Sequence, residues 1–407
     1  MTAKPKAPPI LVLIAATATG PLALNLFVPS MPGLVGLFGT DYGTVQLTLT
    51  LYLAGVAIGQ LIYGPISDRI GRRPTLLAGL AIFALSSLAC SFAGSIDMLI
   101  AGRIFQALGG CAGMVLGRAI VRDVYERDEA APVIAYITMA MAVAPMIGPA
   151  IGGFLDSAFG WYAGFYVVAA VGGAVLLYAI PSLHETHPQR ETRIDVGALL
   201  RSYGTLLQSK AFLGYTLNTS FSIGCFFAFL TSAPYVTINI LGLEPQVYGF
   251  FFIIVSLSYM SGNFTATRLS RRLGIDRMIL LGCSVSLLGA LILTTLSALS
   301  VISATAIFLP FALVAFGNGM SQPNAIAGAV SVNPAIAGAA SGLMGFLQMC
   351  AGGLATVAVG FFQDESGFGA LAYALMIGSG GALVSLLLAI RASAETRAAT
   401  QGAAANE

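Results

Sequence analysis

The chain has 407 residues, of which 57% are hydrophobic and only 9% are charged, and its formal net charge is +2. A soluble domain carries roughly a quarter charged residues, so this composition excludes a water-facing globular surface and predicts an integral membrane protein. The small net charge gives no reason to expect a nucleic-acid partner.

Twelve apolar segments are long enough to cross a bilayer, which takes about 20 mostly apolar residues for each helix. In chain order they are 10–32, 45–66, 75–94, 98–119, 132–155, 161–180, 211–232, 247–267, 278–298, 302–324, 336–362 and 369–390. The first lacks a small-residue cleavage site, so we interpret it as a retained span rather than a signal peptide. The polar, alanine-rich tail 392–407 is predicted to be disordered.

The basic residues fall on one side of this map. With the N-terminus inside the cell, the inner segments hold 18 of the 19 Lys and Arg residues, and the last one, Arg103, lies within a span. The charged residues of the outer loops are all acidic, and Asp156 is among them. This is the positive-inside pattern. It predicts a multi-pass protein of the bacterial inner membrane with both termini in the cytoplasm.

The chain divides into two related halves. In each half, a short basic loop joins the second and third spans, and at an offset of 199 the arginines of loop 64–74 fall on those of loop 263–273. A degenerate repeat of six spans predicts two bundles about a pseudo-two-fold axis, with a substrate site between them at the bilayer midplane. The predicted all-α architecture comprises an N-terminal six-helix bundle 1–180, a cytoplasmic linker 181–210, a C-terminal six-helix bundle 211–391 and the tail 392–407.

The first of these loops, GPISDRIGRRP at 64–74, carries the most specific motif in the chain. Gly64 and Gly71 allow close backbone approach, and Asp68 is suited to cap a helix start. Its arginines face the inner leaflet, where they can pair with a neighbouring acid: Arg69, Arg72 and Arg73. A basic inner loop set by topology alone is the simpler alternative.

The same loop resembles the Gly-x-x-x-Asp-Arg-x-Gly-Arg-Arg motif of the major facilitator superfamily. In that superfamily the loop stabilises the outward-open state, partly through an acidic residue at the inner end of span four. Asp123, in RAIVRDVY, stands where that partner is expected. The resemblance therefore implies a gating role for the loop and for Asp123.

Two further segments resemble motifs of the superfamily. RIFQALGG, at 103–110, resembles the span-four motif with a buried arginine, and GPAIGG, at 148–153, resembles the Gly-Pro motif associated with exporters. The spacing of Gly148 and Gly152 allows close helix packing, and Pro149 bends the helix. An ordinary kinked, tightly packed helix remains an alternative for the second segment.

The order of three segments, VQLTLTLYLAGVAIGQLIYGPISDRIGRRP, GRIFQALGGCAGMVLGRAIVRDVY and GAASGLMGFLQM, resembles the Bcr/CflA (bicyclomycin resistance) group of multidrug exporters. That group belongs to the drug:proton antiporters of the superfamily. The resemblance covers nearly all of the spanning region. It implies alternating-access export of small organic molecules by a monomer, with the proton gradient rather than a cofactor as the energy source.

One position departs from that group. Its members commonly carry Asp-x-Tyr-x-Pro in span one, where the carboxylate binds a proton or cation, but this chain reads Asn25-Leu26-Phe27-Val28-Pro29. An amide does not titrate. Every Asp and Glu of the predicted map lies in a loop, in the tail or at the end of a span, so the group that would carry the proton is unidentified.

Arg103 is the charged residue predicted at depth, and Arg118 lies nearer the inner face, about 22 Å along the same helix and roughly 60° around it. Both are candidates for gating or coupling. For Arg103 a fixed hydrogen-bond donor is an open alternative, and for Arg118 we favour an inner-end position near Asp123 or lipid headgroups. Arginine without a buried acid disfavours permanent cations, so we expect small, amphipathic substrates that are neutral or weakly anionic.

Neutral polar and aromatic side chains of the spans are the candidates for substrate binding. Those chosen come from spans that line the cavity in the superfamily: Asn25, Gln46, Tyr52, Asn218, Phe221, Asn318 and Gln348. For each polar residue, binding of neighbouring helices to one another is the competing interpretation.

Two rival functions remain. The first is a dedicated exporter of a metabolite such as an amino acid, peptide or sugar. The second is a membrane receptor or enzyme, but the sequence lacks HExxH, GxSxG and a phosphate-binding loop, and its two histidines, His184 and His187, lie in the polar linker. We therefore predict that the protein is not an enzyme and has no metal site.

Overall fold

A computed structural model describes residues 7–125, 127–186, 196–333, 336–363 and 367–404. Regular secondary structure in these ranges is helical, and they contain no strand. The helices are α1 (Ile10–Phe27), α2 (Met31–Phe38), α3 (Tyr42–Ile70), α4 (Arg72–Ser91), α5 (Ile96–Val124), α6 (Arg127–Phe159), α7 (Ala163–Ser182), α8 (Val196–Gln208), α9 (Lys210–Tyr235), α10 (Pro245–Leu273), α11 (Ile275–Ala298), α12 (Ala304–Ser331), α13 (Ala337–Phe362) and α14 (Gly369–Ala404).

The spans agree with the hydropathy map. Within the described ranges, eleven helical stretches are long and apolar enough to cross a membrane, and the first of them, Ile10–Phe38, joins α1 and α2. A shorter apolar stretch, Val143–Phe159 in α6, overlaps the predicted fifth span 132–155. The all-α membrane fold is therefore confirmed, with eleven spans in the described ranges and this shorter stretch at the place of the remaining predicted span.

The first span is interrupted where its prolines predict. α1 ends at Phe27, a 3₁₀ turn covers Val28–Ser30, and α2 begins at Met31. Pro29 lies inside this turn, and a proline at that position has no N–H to donate to the carbonyl of Asn25. Pro21, in contrast, lies within continuous helix.

Contacts divide the chain into two compact units. Unit 1 comprises Met1–Ile194 and Ala233–Ile253, and unit 2 comprises Asp195–Ser232 and Ile254–Glu407. The end of α9 and the start of α10 thus pack with the first-half helices, unlike the predicted bundles that divide at the linker 181–210. The division into two six-helix bundles stays a prediction.

Helix packing in unit 1 is closest along α5 and along the pair α1–α6. α5 packs against α1, α3 and α4, and α4 also packs against α7. On α6, a Cβ added to Gly148 would lie 2.6 Å from Cβ of Asn25, and one added to Gly152 would overlap the carbonyl oxygen of Leu26. The close helix packing predicted from the Gly148 and Gly152 spacing is confirmed.

In unit 2, α11 packs against α12 and α14. Aromatic side chains join α9 to α12, where the rings of Phe229 and Phe311 stack with centroids 3.6 Å apart and Phe308 meets Phe229 edge-on at 5.3 Å. Four of the five cysteines of the chain are buried, and all five are free thiols. The interpretation of the cysteines as packing residues agrees with this placement.

The loop between α3 and α4 and the loop between α10 and α11 have similar backbone conformations, but the predicted offset does not align them. Gly71 separates α3 from α4 with φ +113°, and Gly274 separates α10 from α11 with φ +83°. Arg72 begins α4, whereas Arg272 lies in the last turn of α10. The offset of 199 taken from the arginines is therefore about one helical turn short, because the positive-inside preference acts on either end of a loop.

Two parts of the chain that were predicted to lie outside helices, the C-terminal tail and Asp156, are helical. α14 continues through Ala404, so most of the tail 392–407, predicted to be disordered, extends the last helix. Its many alanines, with Glu, Arg and Gln, have high helix propensity, and this outweighs the low hydrophobicity. Asp156, placed in an outer loop by the span map, lies inside α6, which continues to Phe159.

Candidate functional site

The loop between α3 and α4 brings charged side chains together at the ends of four helices. We call Asp68, Gly71, Arg72, Arg73, Asp123 and Glu185 the inner-loop cluster. The buried Arg72 side chain contacts Asp68 Oδ1 through Nη1 at 2.5 Å and donates from Nε to Asp123 Oδ2 at 2.9 Å. It also donates to the hydroxyl of Ser67. The structure therefore places Asp123 against an arginine of the loop, as the resemblance implied; the gating role of this contact stays a prediction.

Two expectations for this loop are wrong in detail. Asp68 does not cap a helix start, because α3 continues to Ile70 and Asp68 lies in its last turn, paired with Arg72 one turn later. A Cβ added to Gly64 would meet no atom within 4 Å, so this glycine is not needed for close backbone approach. Arg69 is exposed.

Glu185 is a member of the cluster that the sequence did not reveal. Its carboxylate accepts hydrogen bonds from the backbone N–H groups of Arg72, at 3.0 Å, and Arg73, at 3.3 Å. These are the first two residues of α4, whose unpaired N–H groups and positive dipole end favour an anion. A Cβ on Gly71 would overlap the Glu185 carboxylate, so position 71 requires glycine for space as well as for its positive φ.

Arg73 makes the reverse contact to the end of α7. Its Nε donates to the carbonyl oxygen of Leu183 at 2.7 Å, and Nη2 donates to that of Ile180 at 2.9 Å. A cation at a helix C-terminus complements the negative end of the helix dipole. Glu185, which follows α7, thus binds the N-terminus of α4, and Arg73 of α4 binds the C-terminus of α7. We call this pair of contacts the α4–α7 clasp.

The segment after α7 also reaches Asp123. The hydroxyl of Thr186 donates to Asp123 Oδ2 at 3.3 Å, so this carboxylate receives both Arg72 and Thr186. Arg118, expected near Asp123 or the lipid headgroups, is exposed, and its Nη2 lies 3.6 Å from Sδ of Met141. One weak signal for Glu185 was available, because it is an acid shortly after span six.

Arg103 is fully buried in a second cluster of unit 1. Its guanidinium carbon lies 4.2 Å from the ring centroid of Tyr52 and 4.6 Å from that of Phe27, and Phe165 is 6.0 Å away. Such cation–π contacts contribute about 2 kcal/mol or more where water is excluded. Nη1 donates to Oε1 of Gln106 at 2.5 Å and to the carbonyl oxygen of Ala23 at 3.3 Å. We call these residues the Arg103 cluster.

The charge of Arg103 has no carboxylate partner among the residues that the structure describes. Its Nε and Nη2 atoms have no hydrogen-bond partner in that part of the chain. Gln106 is held in turn by the hydroxyl of Ser87, to which Nε2 donates at 2.8 Å. A buried, incompletely paired guanidinium costs several kcal/mol, so this arrangement is not explained by stability alone.

The first-half candidates for substrate binding lie close to this cluster or along the same helices. Tyr52 donates its hydroxyl to the carbonyl oxygen of Gly20 at 2.9 Å. Asn25 is buried, and Nδ2 donates to the carbonyl oxygen of Pro21 at 2.7 Å, while Oδ1 has no partner within the described ranges. Gln46 is also buried and hydrogen-bonds to the Tyr42 side chain. All three are enclosed by protein in this structure.

The second-half candidates divide between helix contacts and partly open positions. Asn218 is fully buried and joins three helices, since Nδ2 donates to the carbonyl oxygen of Ala382 at 2.7 Å and contacts Sγ of Cys283 at 3.2 Å. Asn318 donates to the carbonyl oxygen of Ser222 at 3.4 Å. These contacts are those of residues that bind helices together. Phe221 and Gln348 are half-buried.

Metal-ligating side chains do not cluster in the part of the chain that the structure describes. No group of three or more His, Cys, Asp or Glu side chains has the arrangement needed to hold a metal ion there. His184 is exposed, and His187 lies outside the described residues. Pro149, the remaining gating candidate, is buried in α6, and its carbonyl oxygen would lie 2.7 Å from a Cβ added to Gly249 in α10.

The chain is similar to known proteins in both sequence and structure. Residues 13–357 match the family model described as Major Facilitator Superfamily. The chain is 31% identical to the "Bicyclomycin resistance protein homolog" of Haemophilus influenzae (85% of this chain, 87% of the relative) and 30% identical to "Multidrug resistance protein D" of Escherichia coli (85% and 86%). Among solved structures, a peptide transporter crystallised with sulfate superimposes with a TM-score of 0.75 at 14% identity, covering 95% of this chain and 94% of that one.

Proposed function

The chain belongs to the major facilitator superfamily, and from that membership we propose that it exports small amphipathic organic compounds, antibiotics among them, across the bacterial inner membrane in exchange for protons. The observation that carries the proposal is the length of the match to relatives named for drug resistance, which covers 85% of the chain at 30–31% identity. No cofactor is required, since the proton gradient supplies the energy.

The inner-loop cluster supports transport by alternating access. It ties the inner ends of α3, α4 and α5 to the segment after α7 through Arg72, Asp123 and Glu185. Charge-assisted hydrogen bonds of this kind are discrete contacts that a conformational change must break together. We therefore assign to the cluster the stabilisation of one of the two access states, as expected for the outward-open state.

The Arg103 cluster supports a preference for neutral or weakly anionic compounds. A buried cation faced by aromatic rings, with no carboxylate among its described contacts, repels a permanent cation and tolerates a neutral or anionic group. Aromatic walls also suit apolar parts of mixed compounds. Export of quaternary ammonium dyes as efficient as that of neutral antibiotics would contradict this preference.

The proposal also covers the orientation of the chain in the membrane and its oligomeric state. The basic inner segments place both termini in the cytoplasm, and the protein acts as a monomer. Asn25 takes part as a neutral hydrogen-bonding group for substrate or for span packing, because its amide has no titratable proton. The proton is therefore bound elsewhere.

The test is flux of radiolabelled bicyclomycin, and of a wider panel of antibiotics, in proteoliposomes of the purified full chain. We expect accumulation against a gradient only when a proton gradient drives it, and loss of accumulation with a protonophore. Asn25→Asp is the matched variant, and the wild type should respond to the gradient at least as strongly. If only Asn25→Asp responds, proton exchange is wrong while export stands; if no compound of the panel moves, export itself is wrong.

A further inference from the structure

The packed surface between α6 and the first span, which we call the α1–α6 seam, contains a carboxylate. Gly148, Gly152 and Asp156 are spaced by four residues, so they lie on one face of α6. Gly148 faces Asn25, Gly152 faces the Leu26 carbonyl, and the Asp156 side chain hydrogen-bonds to Ser30. The helical rise places Asp156 about 12 Å from Gly148 along this seam.

The seam ends at the break of the first span. Ser30 is the last residue of the 3₁₀ turn between α1 and α2, and only 4% of its surface is exposed. Asp156 is itself half-buried within α6. Ionisable side chains in apolar membrane helices are costly and commonly serve ion or proton transfer. Asp156 therefore requires an explanation that packing does not supply.

Asp156 forms no ion pair with a basic side chain in the part of the chain that the structure describes. Among the described residues, the ion pairs of the structure involve Arg72 with Asp68 and with Asp123, and Asp156 is in neither. Its identified hydrogen-bond partner is the Ser30 hydroxyl. Charged side chains within membrane spans usually pair with one another or with backbone carbonyls.

The elements packed against α6 carry other titratable groups. α1 and the 3₁₀ turn contain none, so Ser30 is the polar contact from that side. The remaining elements packed against α6 carry the following: on α5, Asp97, Arg103, Cys111, Arg118, Arg122 and Asp123; on α7, Tyr166 and Tyr178; and at the start of α10, Glu244 and Tyr248. Glu244 and Ser157, the neighbour of Asp156, line the same cleft of about 490 Å³.

We propose that the carboxyl group of Asp156 binds the proton that enters during export. The inference rests on the proposed function and names the group that proton exchange needs. A proton from water adds to one carboxylate oxygen of Asp156, and its release restores the carboxylate; no other bond forms or breaks. The carboxylate only accepts from Ser30, whereas the protonated acid also donates, so the two states hold the α1–α6 seam differently.

The first arm of the test measures proton-driven transport by the full chain in proteoliposomes. Asp156→Asn is expected to lose accumulation of bicyclomycin driven by a proton gradient, while exchange of bicyclomycin at equal concentrations on both sides continues. Asp97→Asn is the matched control, because Asp97 is exposed at the start of α5 and loses the same charge. Asp156→Glu should retain gradient-driven accumulation.

The second arm needs no substrate, because the chain holds its own reporter. Trp161 is the only tryptophan of the chain, lies five residues after Asp156 and packs against Phe38 and Phe165. Its emission in purified full-length protein is expected to shift between neutral and acid pH. The shift should be absent in Asp156→Asn and unchanged in Asp97→Asn.

The outcomes separate this inference from the proposed function. If the wild type is proton-driven and Asp156→Asn remains so, the inference is wrong and proton-coupled export stands. If accumulation is lost but the tryptophan titration is unchanged, or if the wild type shows no titration, Asp156 acts through packing and the inference is also wrong. If the wild type exchanges bicyclomycin but ignores the gradient, both proton coupling and the inference fail.

Discussion

Gly71 and Gly274 are equivalent positions of the two units, since each is the single residue between the second and third long helices of its half and each has a positive φ. Their surroundings differ. The space beside Gly71 is filled by the Glu185 carboxylate, whereas a Cβ added to Gly274 would meet no atom within 4 Å. Among the described residues, the space beside the turn is therefore filled by a carboxylate in unit 1 and unfilled in unit 2.

The fourth long helix of each half also carries a charged contact in unit 1 and an uncharged one in unit 2. Arg103 is the eighth residue of α5 and Phe311 is the eighth residue of α12. Arg103 lies over the rings of Phe27 and Tyr52, while Phe311 stacks on Phe229. An aromatic stack stabilises without desolvating a charge. At these two pairs of positions, unit 1 therefore has charged contacts where unit 2 has an unfilled turn or an aromatic stack.

The largest expected effect distinguishes Arg103 from Phe311. Arg103→Met removes a buried cation and fills its space with an apolar side chain, so we expect gradient-driven export to be lost. The midpoint of thermal unfolding should stay the same or rise, since such replacements are neutral or stabilising by about 1–4 kcal/mol. Flux in proteoliposomes and thermal unfolding in detergent measure both.

Phe311→Ala is the matched variant and should give the opposite result. Truncating a buried phenylalanine costs about 3–5 kcal/mol, so the protein should unfold at a lower temperature while the flux per folded molecule is largely kept. If Phe311→Ala stops export in folded protein, or Arg103→Met exports normally, this distinction between the two residues is wrong.

The two loop glycines give the next largest effect. Alanine at either position is strained by the positive φ, at a cost of about 1–2 kcal/mol. Gly71→Ala must also displace Glu185, so it should be the more destabilising of the two and should reduce export, whereas Gly274→Ala should show the strain alone. Thermal unfolding of both variants, side by side, checks this, and equal midpoints would show that the Glu185 contact contributes nothing.

Glu185→Gln tests the clasp more gently. The amide keeps the size and an acceptor oxygen for the α4 N–H groups but removes the negative charge from the helix N-terminus. We expect a loss of stability of about 0.3–2 kcal/mol that shrinks as salt is raised. Faster trypsin cleavage after the exposed Arg69 would report the loosened loop. Cleavage as slow as in the wild type at low salt would argue that the charge is dispensable.

The smallest expected effect is at the N-terminal end of α3. Asp41 caps this helix, and its hydrogen bonds with the Thr44 hydroxyl and N–H, at 2.6 and 2.9 Å, hold the pKa of this exposed carboxyl below its ordinary value. Because the folded-state pKa is lowered, its stabilisation is present above the unfolded-state pKa and is lost as pH falls through the folded-state value. Asp41→Asn, which still caps, should remove this acid-side dependence of the unfolding midpoint at a cost of only a few tenths of a kcal/mol.

Hydropathy predicted the spans well because the bilayer fixes both their length and their apolar character. It did not predict where the helices end. The second span was expected to stop at residue 66, but α3 continues to Ile70, which turned Asp68 from a cap into a partner of Arg72. The fifth span was likewise expected to stop at residue 155, but α6 continues to Phe159, so Asp156 lies inside the helix.

The candidate site was predictable where a motif is local and hidden where it depends on tertiary contact. The sequence motif pointed to Arg72 and Asp123, and the structure brings them together. Glu185 lies in a polar stretch whose composition indicates only a linker, and its role arises from the packing of α4 against α7. Neither residue spacing nor hydropathy contains that information.

The order of synthesis gives the α4–α7 clasp one more consequence. Glu185 follows Arg72 by 113 residues, so the N-terminus of α4 lacks its carboxylate until the sixth span has been made. At ordinary rates of translation this interval is on the order of ten seconds. During this time the loop between the second and third spans has its arginines but not its closing anion. The inner-loop cluster can therefore form fully only after the whole first half has been inserted, which makes its closure a marker of completed assembly.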